Sequence, residues 1–265
     1  MGFFVEVETG VKLYVEDVNP AGKQTIVFLH GWPLSHKQFE YQFNILPKYG
    51  VRCIGVDWRG FGKSDKPFNG YNIDRLADDI RAVIQALGLK DAILLGHSTG
   101  GAIAFHYIAR HQSFGVKGLV LLDAAVPVGL PPAAAQNYID MTLQDRPHML
   151  QVITNQFFYR YATEPFKQWF FMLGLEAAGW STIAIMKMLS TLDLNADISA
   201  VSVPTLILHG DQDQVVPFSQ AEQLSKQMPN AQLIPLINGG HGAFWEDKDM
   251  VNDTIIKWLQ LSPNE

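Results

Sequence analysis

One cysteine in 265 residues leaves no second thiol for an internal disulfide, so the fold must hold by packing alone. That residue, Cys53, lies in the apolar run "YGVRCIGVD" and reads as inert core, not as a nucleophile. No run or stripe of lysine and arginine is present, and the formal net charge is −6. A nucleic-acid partner is therefore not expected. No apolar stretch reaches the roughly 18 residues that a bilayer span takes, so no membrane partner is expected either. The first ten residues, "MGFFVEVETG", lack a basic stretch followed by a long apolar one, the mark of a secretory leader. Glu6 stands where a myristoylation signal needs Ser or Thr. The default expectation is a cytoplasmic, soluble chain. Nor does any HExxH or His/Asp group with ligand spacing occur, so no metal and no cofactor are expected.

What is there belongs to an ordinary globular protein. Hydrophobic residues make up 48% and charged residues 17%, enough apolar matter for a substantial core. The segments "FFVEVE" and "VKLYVEDV" alternate apolar and polar around Thr9-Gly10, which predicts an antiparallel hairpin. Beyond it come short, largely apolar runs, as strands buried on both faces require: "TIVFLHG", "VRCIGVD", "DAILLGHS", "VKGLVLLDAA", "PTLILHGD" and "AQLIPLING". Between them lie helical patterns, over about 37–49, over "IDRLADDIRAVIQALGL" with Gly88 at its end, and over about 248–261. Strands alternating with helices predict an α/β fold: a mostly parallel sheet with right-handed crossovers and helices on both faces. From about Pro127 to Val203 the alternation stops, too long a gap for a loop. Residues 127–203 therefore read as a helical cap inserted into a core made of 1–126 and 204–265.

In such sheets ligands bind outside the carboxyl ends of the strands. "HGWP", "VDWRG", "GHSTGG", "LDAAVP" and "HGDQDQ" all sit at those ends. Within "GHSTGG", Gly96-His97-Ser98-Thr99-Gly100 fits G-x-S-x-G, and it follows a predicted strand and opens a predicted helix, the context that motif demands. A serine hydroxyl needs a base to take its proton. His241, in the glycine-rich loop "INGGHGAFWED", is the candidate; His30 and His209 read as organisers of their loops. The base needs an acid to fix its tautomer. Asp213 is chosen over Asp211, which is placed to brace its turn, and Asp123 at the end of "LVLLDAA" remains the rival. Ser98, Asp213 and His241 then follow the order serine, acid, histidine. Backbone N–H groups of Thr99 and Trp32 are the candidate oxyanion donors. The aromatic run "NQFFYRYATEPFKQWFF" supplies candidate pocket walls, with Phe157, Phe158, Phe166 and Trp169 joined by His97 and Phe244.

With these residues assembled, the chain resembles the α/β-hydrolase superfamily over nearly its whole length. "FLHGWPLSHKQFEYQ", "VDWRGFGKSDKP", "DDIRAVIQALGLKDAILLGHSTGG" and "IARH" are similar to the cofactor-free haloperoxidase, perhydrolase and arylesterase branch. The resemblance implies a serine triad that hydrolyses esters and can pass the acyl group to hydrogen peroxide, giving a peracid that oxidises halide without metal or haem. It places nucleophile, acid, base and oxyanion donors on Ser98, Asp213, His241, Thr99 and Trp32. His97 stands where that branch often has Phe, and Trp58 where it often has a second Arg. The expected activity is a carboxylesterase or arylesterase acting on small to medium apolar esters. Perhydrolysis, lactone or lactam hydrolysis and carbon–carbon hydrolysis share the same triad. A ligand-sensing signalling protein on the same scaffold is the alternative outside enzymes.

Overall fold

The computed structural model describes residues 1–262. Eight strands form one sheet in the order β1-β2-β4-β3-β5-β6-β7-β8. The hairpin strands β1 (Gly2–Glu8) and β2 (Val11–Val18) pair antiparallel, and β2 joins β4 (Val51–Asp57) antiparallel. From there every pairing is parallel, through β3 (Gln24–Leu29), β5 (Ala92–His97), β6 (Val116–Leu122), β7 (Thr205–Gly210) and β8 (Ala231–Leu236). Every residue of β5 and β7 is buried, which is why these strands carry unbroken apolar runs instead of an alternating pattern.

The connections are helical. After β4 comes α2 (Ile73–Ala86), opened by Asn72, whose side chain accepts from the Arg75 amide. After β5 comes α3 (Thr99–Arg110), then α7 (Phe218–Gln227) after β7, and α9 (Lys248–Trp258) closes the chain. The helix expected over 37–49 is instead broken into a 3₁₀ turn at His36–Phe39, a single turn α1 (Glu40–Phe43) and a second 3₁₀ turn at Leu46–Tyr49. Pro47 accounts for the break: it has no amide to continue the ladder of α1, and it begins a new turn.

Between β6 and β7 lie α4 (Pro132–Phe157), α5 (Glu164–Leu175) and α6 (Gly179–Leu189). Main-chain bonds from Leu194 N–H to Pro127 C=O at 2.7 Å and from Gly129 N–H to Leu192 C=O at 3.1 Å close the neck of this insertion. Helix α4 is interrupted at Asp145, which adopts φ −156° and ψ 87° two residues ahead of Pro147. The Asp145 carboxylate accepts from the His148 amide at 3.0 Å, so it caps the second half of the helix. No single described helix is long and apolar enough to cross a membrane.

What positions the site is the approach of α3 to the sheet. A β-carbon added at Gly100 would lie 2.1 Å from the Leu29 carbonyl oxygen, and one at Gly96 would lie 2.3 Å from the Gly100 carbonyl oxygen. Only glycine lets helix backbone and strand backbone close to that distance. Backbone cannot give way as a flexible side chain can, so Gly100→Ala is expected to destabilise the fold by about 3 kcal/mol. Urea denaturation would read this as a clear drop in midpoint, and an unchanged midpoint would show that α3 does not depend on the contact.

Candidate active site

Ser98 sits between the last residue of β5 and the first of α3, with φ 51° and ψ −119°. That backbone region is unfavourable for any residue with a β-carbon, by about 1–3 kcal/mol. It is held there by its neighbours. The Ser98 amide donates to the Leu122 carbonyl at 3.1 Å, and the Ser98 carbonyl accepts from Gly101 at 2.9 Å, Ala102 at 3.2 Å and Ala125 at 3.1 Å. The bend is thus locked between β6 and the first turn of α3, leaving the hydroxyl-bearing residue at the sheet's carboxyl edge.

His241 follows β8, on the loop before the short helix α8 (Ala243–Glu246). Its Nδ1 lies 2.7 Å from Asp213 Oδ2. A carboxylate can only accept, so Nδ1 carries the hydrogen and Nε2 of the neutral ring keeps a lone pair. Nε2 is buried and has no hydrogen-bond partner among the described residues. The other oxygen of Asp213 accepts from Val215 N–H at 2.7 Å and Val216 N–H at 2.9 Å. Burial of Asp213 works against its charge, but His241 beside it and hydrogen bonds from His209 and His241 outweigh that and hold the carboxyl far below its usual range.

The rival carboxylate has a different task. Asp123 Oδ1 accepts from Gly210 N–H at 2.9 Å and Oδ2 from Ala243 N–H at 3.2 Å, so it ties together the loops that carry Asp213 and His241. Complete burial pushes its pKa well up, against the attraction of His209 and with the repulsion of Asp213. His209 Nε2 lies 2.9 Å from the Val216 carbonyl and 3.3 Å from Asp213 Oδ2, bracing the Asp213 carboxylate. Asp123, His209 and Asp213 do present possible ligand atoms within 4.8 Å of one another. Each of those groups already has hydrogen-bond partners within the protein, so the cluster is accounted for as support for the Asp213–His241 pair.

Ser98 and His241 face one narrow cavity together with Trp32, Thr99, Ala125, Leu130, Tyr138, Ile153, Phe157, Met186, Leu189 and Val215. It spans about 310 Å³ of space between protein atoms, part of it open to solvent, and only about 10 Å³ admits the centre of a water molecule. That is room for about one water. Trp32 is fixed by its indole N–H, which donates to the Thr182 carbonyl of α6 at 3.1 Å. Of the aromatic residues singled out in the sequence, Phe157 lines this cavity and packs edge-on to His241 at 4.7 Å between ring centroids. Phe158 and Phe166 contact each other and Trp245, Trp169 lies against Phe166, and Phe244 stacks near Phe170, so these four build the cap-to-core packing around the cavity. His97 lies beneath His241, ring centroids 4.9 Å apart. Tyr138, Ile153, Met186 and Leu189 were not signalled by any motif; they reach the cavity only because α4 and α6 fold over it. A groove between α4 and α5, where about 530 Å³ admits the centre of a water molecule, is more voluminous, but it is lined by polar residues such as Asp145, His148 and Lys167 and includes neither Ser98 nor His241.

This geometry is matched by kinship. Residues 26–254 match the model of the Alpha/beta hydrolase family. The chain belongs to the α/β-hydrolase family. It is 45% identical to the AB hydrolase superfamily protein YisY of Bacillus subtilis (strain 168), over 97% of this chain and 99% of that one. It is 28% identical to the bifunctional esterase/perhydrolase DCH of Acinetobacter calcoaceticus, again over 97% and 99%. Among solved structures, the esterase EaEST from Exiguobacterium antarcticum superposes with a TM-score of 0.95 at 38% identity, covering 98% of this chain and 100% of that one.

In this α/β hydrolase the loop organiser His30 is wholly buried, stacked 4.7 Å from Trp58, and its Nδ1–H donates to the Gly31 carbonyl at 2.9 Å. Burial pushes its pKa down to about 4, from about 6.5 in an unfolded chain. The folded ring therefore stays neutral between those values while the unfolded ring takes up a proton. Stability from this residue is complete above about pH 6.5 and is lost as pH falls toward 4, at no more than about 1.4 kcal/mol per pH unit. His30→Phe should flatten the fall in unfolding free energy between pH 6 and pH 4.5 by up to one proton. Equal slopes for the two proteins in urea titrations would refute the assignment.

Proposed function

We propose that this α/β hydrolase is a serine-dependent carboxylic ester hydrolase of the carboxylesterase or arylesterase type, working through an acyl-serine intermediate on small to medium apolar esters. The observation that carries it is the hydrogen-bond geometry at His241: Nδ1 held by Asp213 at 2.7 Å, and Nε2 unpartnered at the cavity that Ser98 lines. Catalytic hydrogen bonds of this kind are often completed only when substrate binds.

In the proposed cycle Ser98 Oγ attacks the ester carbonyl carbon while His241 Nε2 takes its proton. Thr99, at the first helical position of α3, has an amide without an intrahelical acceptor, and with the Trp32 amide it receives the developing oxyanion. Collapse expels the alcohol, which leaves with the proton from His241. A water then gives its proton to the same nitrogen and its oxygen to the acyl carbon, and the acid departs as Ser98 regains its hydrogen. The apolar walls, with Leu130, Ile153 and Leu189 among them, match a short apolar acyl group in chemistry, and α4 and α6 have to move apart to admit one to a space that holds about one water. Hydrogen peroxide as the second acyl acceptor is a further reading, supported by the esterase/perhydrolase named among the relatives.

Steady-state hydrolysis of p-nitrophenyl acetate and butyrate tests the proposal. Ser98→Ala should lower kcat by at least about 10³-fold, and Asp213→Asn by about 10³–10⁴-fold through loss of the tautomer, with both variants still folded. Turnover that survives Ser98→Ala would overturn it. A single slow acylation followed by a conformational change, without further turnover, would favour a ligand sensor instead.

A further inference from the structure

The loop that carries the base is pinned at four consecutive residues. Gly240 N–H donates to Glu246 at 2.7 Å, Gly242 N–H to the Phe157 carbonyl at 2.8 Å, and Ala243 N–H to Asp123 at 3.2 Å. The fourth contact differs from these, because it falls on the base itself and comes from the residue before the nucleophile. His97 Nε2 lies 2.8 Å from the His241 carbonyl oxygen. A carbonyl only accepts, so Nε2 carries the hydrogen.

We propose that His97 is a positioning residue for the triad: its Nε2–H, donated to the His241 carbonyl, ties the strand end that bears the nucleophile to the loop that bears the base and sets the distance between them. The inference rests on Ser98 and His241 acting as that pair.

Three further observations fit this assignment. His97 is wholly buried, so its single hydrogen bond is unscreened by water. Its Nδ1 has no partner among the described residues, and a β-carbon on Gly31 would lie only 2.4 Å from it. Leaving a buried ring nitrogen unpaired carries a desolvation cost, which a phenyl ring at this position would avoid. The ring is therefore not there for packing alone. Finally, burial and then repulsion from His241 hold its pKa well below the ordinary range. The ring stays neutral as His241 gains its proton, so the tie adds no opposing charge.

His97→Phe, which keeps a ring and loses the donor, is compared with His97→Gln, whose Nε2 can replace it, and with His97→Met, which cannot donate. The full chain is assayed in two ways: kcat and KM on p-nitrophenyl acetate, and the rate at which a fluorophosphonate probe labels Ser98. His97→Phe and His97→Met should lower kcat and the labelling rate at least tenfold with KM within twofold, and His97→Gln should recover to within threefold of wild type. Wild-type rates in the variants lacking a donor would overturn the proposal, as would equal impairment of all three at an unchanged melting temperature. Labelling requires only an activated serine. A chain that labels in a position-97-dependent way yet turns over no ester would sink the esterase reading while leaving this one standing.

Discussion

Everything at the site depends on one close approach of backbone to backbone, where the first turn of α3 meets the end of β3. Glycines at 96 and 100 make that distance reachable, and Ser98 between them takes up the conformational cost at φ 51°. A strained residue persists only when its surroundings over-determine it. Here three amides converge on the Ser98 carbonyl while β6 holds its amide, so relaxing the strain would break four hydrogen bonds at once. The bend is therefore rigid, and rigidity at Ser98 is what lets distant loops be aligned to it.

The two buried carboxylates near the bend show how environment divides labour between identical groups. Asp213 accepts from two backbone amides and faces His241 and His209, and its charge is favoured despite burial. Asp123 is just as deep, but it accepts a single amide at each oxygen and feels the repulsion of Asp213, and its proton is held more tightly. One serves as the ionised partner of an imidazole, the other as a clasp across two loops. Had both been equally ionised, two like charges would share one small, poorly solvated region, at high cost.

Much of this was legible along the chain, for reasons that can be given residue by residue. Strands buried on both faces leave uninterrupted apolar runs, and the elbow announces itself through glycines whose need is local. The pairing of His241 with Asp213 was legible because both follow strands that end on one edge. The cavity wall was not, since it depends on how helices of the insertion cross over the sheet. Phe157 and Phe158 are neighbours in the chain, yet Phe157 meets His241 while Phe158 turns to Phe166 and Trp245. No periodicity read from sequence separates such a pair without knowing the crossing. The segment after Trp32 misled for a simpler reason: its apolar spacing is helical, but Pro47 removes the amide that a continuous helix would use.

The charge on the proposed reaction path explains why so tight and apolar a cavity is tolerable. Before attack the triad holds one negative charge, on Asp213, with His241 neutral. After the proton moves, the imidazolium balances Asp213 and the negative charge resides on the substrate oxygen. The total is −1 throughout, so no net charge has to enter or leave the apolar cavity as the reaction proceeds. Only its position shifts, from a carboxylate braced by Val215 and Val216 toward the amides at the start of α3. A low-dielectric wall strengthens the attraction at both ends of that shift, provided the dipoles are already in place. The fixed elbow and the pinned loop around His241 supply that condition, so on the proposed path the rigidity won at the glycine contact would reappear as electrostatic preorganisation at the oxyanion.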